Sequence, residues 1–232
     1  MKVLGIETAT RTGGVALLRE KGVIAEYTSN IEVTHSERLM AHVDRLLADT
    51  GVALMDIDAF AVSIGPGSFT GLRIGIATVK GLAFTTGKPV VAVPTLKALA
   101  WNVLSAGYPV CPLLDAKKKE VYAAIYRPDD GDLAAMMRES VLPIETLAER
   151  ITERTLFTGE GSAAFRGELT ALLGERAVFA PLSSTVPSAA SVAEIGLRQL
   201  LAGERIDLDA LSPLYIRRPE AELAWERRHQ SR

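Results

Sequence analysis

Residues 65–75 read Gly65-Pro66-Gly67-Ser68-Phe69-Thr70-Gly71-Leu72-Arg73-Ile74-Gly75, a glycine-rich loop between a strand-like and a helix-like segment. Its glycines allow backbone angles and close approaches that a Cβ would forbid, and Ser68 and Thr70 can cap the following helix. Exposed N–H groups at such a helix start either bind an anion or dock tightly on a neighbour. The loop lacks the Gly-Lys-Ser or Gly-Lys-Thr ending of a Walker loop, so nucleotide binding does not follow from it alone.

Hydrophobic patterning on both sides of the loop predicts the first half of the fold. Residues 3–7, 14–18 and 23–27 read as strands joined by short turns, which indicates an antiparallel start. A helix is predicted from Thr34, which can form a capping box with Glu37, to Gly51. Further along the chain, strands are predicted at residues 59–64 and 89–93, and helices at residues 69–86 and 96–104.

The pattern restarts around residues 106–109, where we place a boundary between two lobes. Strands are predicted at residues 110–115, 121–126, 136–142 and 155–158, and helices at residues 144–150, 163–173 and onward from Ser188. Each half begins with an antiparallel meander and continues with alternating helix and strand. The sequence therefore predicts a duplicated α/β architecture, with residues 1–105 in the first lobe and residues 106–187 in the second.

Composition narrows the class of protein. The chain has 232 residues, of which 48% are hydrophobic and 23% charged, as in an ordinary globular protein of one large domain or two lobes. A net charge of −2 gives no general attraction to nucleic acid. The single cysteine, Cys111, excludes an internal disulfide and a multi-cysteine metal site. No targeting segment and no membrane span is expected, which favours a cytoplasmic location.

Five segments together resemble one family. They are Ile6-Glu7-Thr8, His35-Ser36-Glu37-Arg38-Leu39, the glycine loop, Asp115-Ala116 with Glu120-Val121-Tyr122, and Tyr215-Ile216-Arg217. In this order they resemble the TsaB family, the non-catalytic partner subunits of the bacterial machinery that makes threonylcarbamoyladenosine next to the tRNA anticodon. The resemblance implies an actin-like, Hsp70-like ATPase fold with ribonuclease H-like duplicated lobes. It also implies that residues 188–220 return to the first lobe, and we expect a mobile tail at residues 221–232.

The resemblance also identifies two turns that bind nucleotide phosphates in active proteins of this fold, usually with an Asp and a glycine. Here they are Glu7-Thr8-Ala9-Thr10 and Asp115-Ala116-Lys117-Lys118. Side chains in place of glycine would crowd a phosphate, so we interpret both turns as degenerate, with Glu7 and Asp115 accepting hydrogen bonds from turn amides. No cofactor is expected in the isolated chain, and ATP and metal are expected on partner subunits.

Two enzymatic alternatives remain from other classes. Asp115 and Gly159-Glu160-Gly161 are the features that favour an actin-like kinase. A metallopeptidase is disfavoured because the TsaD-like catalytic relatives carry two histidines one helical turn apart, where this chain has Thr95 and Leu99. We therefore predict no metal site.

The helices at residues 35–50 and 69–86 carry apolar residues over a wide arc. The residues alone equally allow both faces to be ordinary core, whereas the resemblance implies an external face for a TsaD-like catalytic subunit, for a second copy of the chain when alone, and for a larger complex with a TsaE-like ATPase. Contact with tRNA is expected only indirectly, since Lys117-Lys118-Lys119 and the tail arginines are explained by solvation. The predicted interface is Leu39, Met40, Val43, Leu46, Phe69, Thr70, Arg73 and Ile76.

Overall fold

The structure is a computed structural model that describes residues 1–31 and 34–217 of the chain. The expected tail, and the last three residues of the segment expected to return to the first lobe, lie outside the described residues. Within the part described, no helix combines the length and the apolar character needed to cross a bilayer.

The first lobe is built on a five-stranded mixed sheet. Strands β1 to β3 form the predicted antiparallel meander, and β4 and β5 continue from β1 in parallel, giving the order β3-β2-β1-β4-β5. Val3, Leu4 and Ile6 of β1 are fully buried, because helices cover both faces of this central strand. The strands are β1 (Lys2–Glu7), β2 (Gly13–Arg19), β3 (Gly22–Ser29), β4 (Ala59–Gly65) and β5 (Val90–Pro94).

Two long helices cover one face of this sheet. Helix α1 (His35–Thr50) begins with the predicted capping box of Thr34 and Glu37 and ends where Gly51 adopts a left-handed conformation. Helix α2 (Phe69–Thr86) begins at the Ser68 cap and ends in the same way at Gly87. Both predictions are confirmed, so the glycine loop joins the central part of the sheet directly to α2.

The second lobe repeats the arrangement in a second five-stranded sheet of order β10-β9-β6-β7-β8. Strands β6, β7 and β8 form an antiparallel meander, and β9 and β10 follow β6 in parallel. Short helices cover this sheet. The elements are β6 (Val110–Asp115), β7 (Glu120–Asp129), β8 (Asp132–Pro143), α4 (Ile144–Glu149), β9 (Thr155–Thr158), α5 (Glu160–Ala164), α6 (Arg166–Leu173) and β10 (Ala177–Phe179).

Helices α3 (Thr95–Trp101) and α7 (Ala189–Leu201) pack on the other face of the first sheet. Helix α7 approaches β1 so closely that a Cβ on Gly5 would overlap the backbone of Ala189 and Ala193. Ser188 caps α7 by accepting hydrogen bonds from two N–H groups, as predicted. One apolar cluster joins α3 and α7 to strands of both sheets, so a shared core connects the two lobes.

Two local predictions differ from the structure, and the structure has one strand in addition to those predicted. The helix expected at residues 96–104 ends at Trp101. The helix expected at residues 163–173 is two helices, α5 and α6, because Phe165 has a non-helical backbone between them. Strand β10 was not predicted, since three residues carry too little periodicity to identify an edge strand.

Candidate partner interface and interlobe cleft

The glycine loop packs on the turn that follows β1. The Ser68 N–H donates to the Ala9 carbonyl at 2.6 Å, and Ser68 Oγ accepts from the Gly71 N–H at 3.2 Å, which confirms the cap. A Cβ on Gly67 would overlap the Ala9 carbonyl oxygen, and a Cβ on Gly71 would overlap that of Thr8. Of the two uses that the sequence allowed, the structure therefore shows tight docking, on the chain's own first turn.

Gly65 and Pro66 begin the loop in a second close contact. Gly65 has a φ of 117°, which favours glycine, and a Cβ there would overlap the Leu214 carbonyl oxygen. The Gly65–Pro66 peptide bond is cis. Leu214 also donates its N–H to the Ile64 carbonyl at 2.7 Å. The loop thus lies between the first turn and a segment from the end of the described chain.

Glu7, which begins the first turn, is fully buried. Its Oε1 accepts the Ala9 N–H at 2.5 Å, as predicted, whereas Oε2 has no hydrogen-bond partner within the described residues. Burial raises the pKa of Glu7 to about 7, although the hydrogen bonds from Ala9 and Ser63 act in the opposite direction. Thr8 is also fully buried, and its Oγ1 lies where a Cβ on Gly75 would be. The side chains of Glu7 and Thr8 are therefore enclosed by protein.

Asp115 occupies the second turn, and its carboxylate is bound by one residue. The Lys117 N–H donates to Oδ1 at 2.7 Å, and Lys117 Nζ donates to Oδ2 at 2.9 Å. Burial alone would raise the pKa of Asp115, but these bonds and the Lys117 charge lower it below its usual value. Lys117, Lys118 and Lys119 all have positive φ, between 56° and 64°. For non-glycine residues this is a strained turn, and it does not provide the glycine that a phosphate would need.

The two turns face each other across an interlobe cleft of about 420 Å³. Ala9, Gly67 and Ser68 line it from the first lobe, and Asp115 and Glu160 from the second. Burial, followed by the nearby charge of Asp115, raises the pKa of Glu160. The structure thus brings the predicted glycine loop and both predicted turns into one site. Arg11 and Lys117 line the same cleft, so its two carboxyl groups are balanced by two cationic side chains.

The two glycines of Gly159-Glu160-Gly161, the segment that favours a kinase, are explained by packing within the second lobe. Gly159 has a φ of 89°, and a Cβ there would overlap the Leu113 carbonyl oxygen of β6. Gly161 packs against the same residue. Both glycines allow α5 to lie close to β6. This close packing accounts for the glycines without a bound adenosine.

Thr95 and Leu99, at the positions compared with metal-binding histidines, are both fully buried. Thr95 Oγ1 accepts the Gly65 N–H at 3.1 Å, so it supports the start of the glycine loop. Among residues 1–31 and 34–217, no group of three or more potential His, Cys, Asp or Glu ligands is close enough to hold a metal ion.

The predicted interface divides into two sets. Leu39, Val43, Leu46 and Ile76 belong to the core cluster between the first sheet and the two helices, and none is more than 5% exposed. The prediction that these four contact a partner is wrong, because both apolar stripes are needed to cover β1, β2 and β4. Sequence periodicity identified the stripes but not the surface that covers them.

The second set lies on the outside. Thr70 and Arg73 are exposed, Met40 is 43% exposed, and Phe69 is 38% exposed. The outer face of α2 continues along residues that sequence reasoning did not single out as partner contacts, namely Ala77, Gly81 and Phe84. Phe84 is 84% exposed. Spacings of three and four residues from Thr70 to Phe84 would have revealed this face.

An aromatic cluster fixes the N-terminal end of that face. The Phe69 and Tyr215 rings stack with centroids 5.3 Å apart, and the Arg73 guanidinium lies 3.8 Å from the Phe69 centroid. Arg73 Nε also donates to the Tyr215 hydroxyl at 2.9 Å. Two residues further on, Arg217 donates to the Ala116 carbonyl at 3.0 Å and pairs with Glu120. The end of the described chain therefore connects α2 to the second turn.

Comparison with known proteins gives consistent results. A family model described as TsaD, tRNA N6-adenosine threonylcarbamoyltransferase, matches residues 18–225. The tRNA threonylcarbamoyladenosine biosynthesis protein TsaB of Bacillus subtilis is 32% identical over 97% of this chain and 98% of its own length. The solved structure of YeaZ from Pseudomonas aeruginosa is 31% identical, with a TM-score of 0.78 over 92% of this chain and 99% of that one.

A more distant neighbour bears on the fold alone. The ROK hexokinase of Thermus thermophilus has a TM-score of 0.53 at 11% identity, over 86% of this chain and all of its own. It has the actin-like ATPase fold, so the predicted fold class is confirmed.

Proposed function

The chain belongs to the TsaB family of tRNA threonylcarbamoyladenosine biosynthesis proteins, and on that premise we propose that it is a non-catalytic accessory subunit. In this role it binds a TsaD-type catalytic subunit and supports transfer of the threonylcarbamoyl group to the adenosine next to the tRNA anticodon. The family model that matches the chain carries the name of that transferase.

The non-catalytic part of the proposal is supported by the state of the two acids. A carboxylate that binds the metal ion of a bound nucleotide must be ionised and open to that ion. Glu7 is buried, which raises its pKa to about 7, and both carboxylate oxygens of Asp115 accept hydrogen bonds from Lys117. ATP, metal and the threonylcarbamoyl donor are therefore assigned to partner subunits.

The proposed binding of a TsaD-type subunit is carried by one observation, the exposed face of α2. Ala77 and Gly81 have small side chains in the middle of this face, so the helix of another protein can approach closely. Phe69 and Arg73 at one end and Phe84 at the other are residue types that dominate binding energy in protein interfaces. Stacking on Tyr215 holds the Phe69 ring in place before binding, which lowers the entropic cost of association.

The same face serves the remaining partners in this proposal. In the absence of the catalytic subunit it pairs with α2 of a second copy, which gives a homodimer. A TsaE-like ATPase joins the larger complex. The tRNA is contacted through the catalytic subunit, in keeping with a net charge of −2 on this chain.

Ala77→Glu tests the proposal directly. The side chain is exposed, so the monomer should stay folded, whereas docking would bury an unpaired carboxylate in the middle of the interface. Such a carboxylate costs at least about 2 kcal/mol, or roughly a 30-fold loss of affinity. We expect loss of TsaD capture from a co-expressing cell, loss of self-association in sedimentation, and loss of threonylcarbamoyladenosine in a complementation assay.

Ala171→Glu is the matched control, because it makes the same change at an exposed position of α6 in the second lobe. It should capture TsaD and support the modification. Val43→Glu and Ile76→Glu cannot serve as interface tests, since both side chains lie in the core of the chain itself. Normal TsaD capture by folded Ala77→Glu protein would reject the α2 face.

A further inference from the structure

A cavity of about 200 Å³ lies in the second lobe, at the end of the sheet away from the interlobe cleft. Pro109, directly before β6, and Thr155, the first residue of β9, line it, whereas Asp115 at the cleft is the last residue of β6. A strand of six residues spans about 20 Å, so the cavity and the cleft lie well apart. None of the residues that line the cavity belongs to α2.

One side of this cavity is apolar. It is lined by Ile125 of β7, Met136 and Met137 of β8, and Ile151 after α4. In a regular strand two consecutive residues lie on opposite faces, but the register between β7 and β8 shifts on both sides of the Ile125–Met137 pair. This irregularity lets two consecutive methionines line the same space. Met136 is 52% exposed, so a ligand with an apolar body would gain by covering it.

The other side carries more positive than negative charge. Arg150 lines the cavity, and its guanidinium makes no hydrogen bond or ion pair within the described residues. Arg176 donates to the carbonyl of Ile151 at 2.5 Å and has no carboxylate partner in the same part of the chain. Glu153 also lines the cavity, but it already pairs with Arg127 at 2.5 Å. The N–H groups of Arg150 are therefore available to an anionic ligand.

We propose that this cavity binds a small organic carboxylate with an apolar body, such as a ring or a short branched chain. A guanidinium binds a carboxylate through two parallel N–H···O bonds, which is the role of Arg150. The apolar side takes the body of the ligand, and a cavity of about 150 Å³ is already enough to hold a benzene ring. The arginines disfavour a cation, and an inorganic anion would leave the methionines uncovered.

The test uses the purified full chain and three probes: sodium benzoate, benzamide and sodium acetate. Benzamide has the ring without the charge, and acetate has the charge without the ring. NMR of the methionine methyl groups reports binding directly, because Met136 and Met137, two of the five methionines, line the cavity. We expect benzoate to shift these two signals saturably, with a dissociation constant of about 1 mM for a ligand of this size, and to leave Met1, Met40 and Met55 unchanged. Benzamide and acetate should each bind at least about tenfold more weakly.

Arg150→Gln removes the charge from an exposed side chain, so the chain should stay folded. Benzoate binding should fall about tenfold, whereas the weak binding of benzamide should not change. Arg205→Gln is the matched control, because it makes the same change at an exposed position that does not line the cavity. It should bind benzoate like the wild type.

Four results would overturn the site. They are the absence of a saturable shift at Met136 and Met137, equal shifts at all five methionines, equal binding of benzoate and benzamide, and a loss in Arg150→Gln no greater than that in Arg205→Gln. None of these readouts involves α2 or a partner subunit, so failure here leaves the interface proposal standing.

Discussion

The turns at Glu7 and Asp115 occupy equivalent places in the two lobes. Each follows the central strand of its sheet, and that strand has an antiparallel neighbour on one side and a parallel one on the other. In each turn the carboxylate accepts the N–H of the second residue after it, from Ala9 at 2.5 Å and from Lys117 at 2.7 Å. The pKa values nevertheless move in opposite directions, upward for Glu7 and downward for Asp115.

The two turns differ in how deeply their carboxyl groups are buried. Glu7 is fully buried and the glycine loop packs on the next two residues, Thr8 and Ala9, whereas Asp115 stays partly open and its Lys117 partner is 82% exposed. The shared hydrogen bond is a local feature of the turn, and the ionisation state is set by the surrounding protein. The two turns therefore share one hydrogen bond but differ in their electrostatics and, at Lys117 to Lys119, in their backbone conformation.

Gly67→Ala should have the largest effect, because it removes the cover from the first turn. The new Cβ would overlap the Ala9 carbonyl oxygen, a backbone atom that cannot rotate away, so the loop must lift. We expect the free energy of unfolding in urea to fall by about 3 kcal/mol. Gly81→Ala is the control, since no atom lies within 4 Å of its Cβ, and it should stabilise α2 by about 0.5–1 kcal/mol. A Gly67→Ala variant as stable as the wild type would mean that the loop does not clamp the turn.

These two turns also illustrate which features of the site can be predicted from the sequence. The hydrogen bonds that Glu7 and Asp115 accept from turn amides were predictable, because donor and acceptor lie only two residues apart. The burial of Glu7 was not, since it depends on residues far away along the chain, such as its partner Ser63 on β4. Helix α1 shows the same limit: its capping box and Gly51 end were predicted from local residues, but not that Leu39 and Val43 face the sheet of their own chain.

Glu7→Gln should change how stability depends on pH. Because the folded-state pKa of Glu7 is raised from 4.5 to about 7, the folded chain holds a proton that the unfolded chain releases. The free energy of unfolding should therefore fall as the pH rises through this interval, by up to about 3 kcal/mol. Glutamine keeps an acceptor for the Ala9 N–H and carries no charge, so urea unfolding of the variant should vary less between pH 5 and about pH 8.

Glu168→Gln provides the control for Glu7→Gln, since it removes a carboxylate from an exposed position of α6. It should follow the wild type at every pH. If Glu7→Gln also keeps the full pH dependence of the wild type, then Glu7 is ionised in the folded chain and the contrast between the two turns is lost.

Asp115→Asn should have the smallest effect and the opposite sign with pH. Asparagine keeps an acceptor for the Lys117 N–H and loses only the ion pair with an exposed ammonium, so the loss of stability at pH 7 should stay below about 1 kcal/mol. Since the folded-state pKa of Asp115 is lowered, its contribution is present above the unfolded-state value and is lost as the pH falls. The difference between variant and wild type should therefore shrink from pH 7 toward about pH 3, and also in high salt. A loss of several kcal/mol at pH 7 would show that Asp115 is as enclosed as Glu7, and that the two turns differ less than their surroundings indicate.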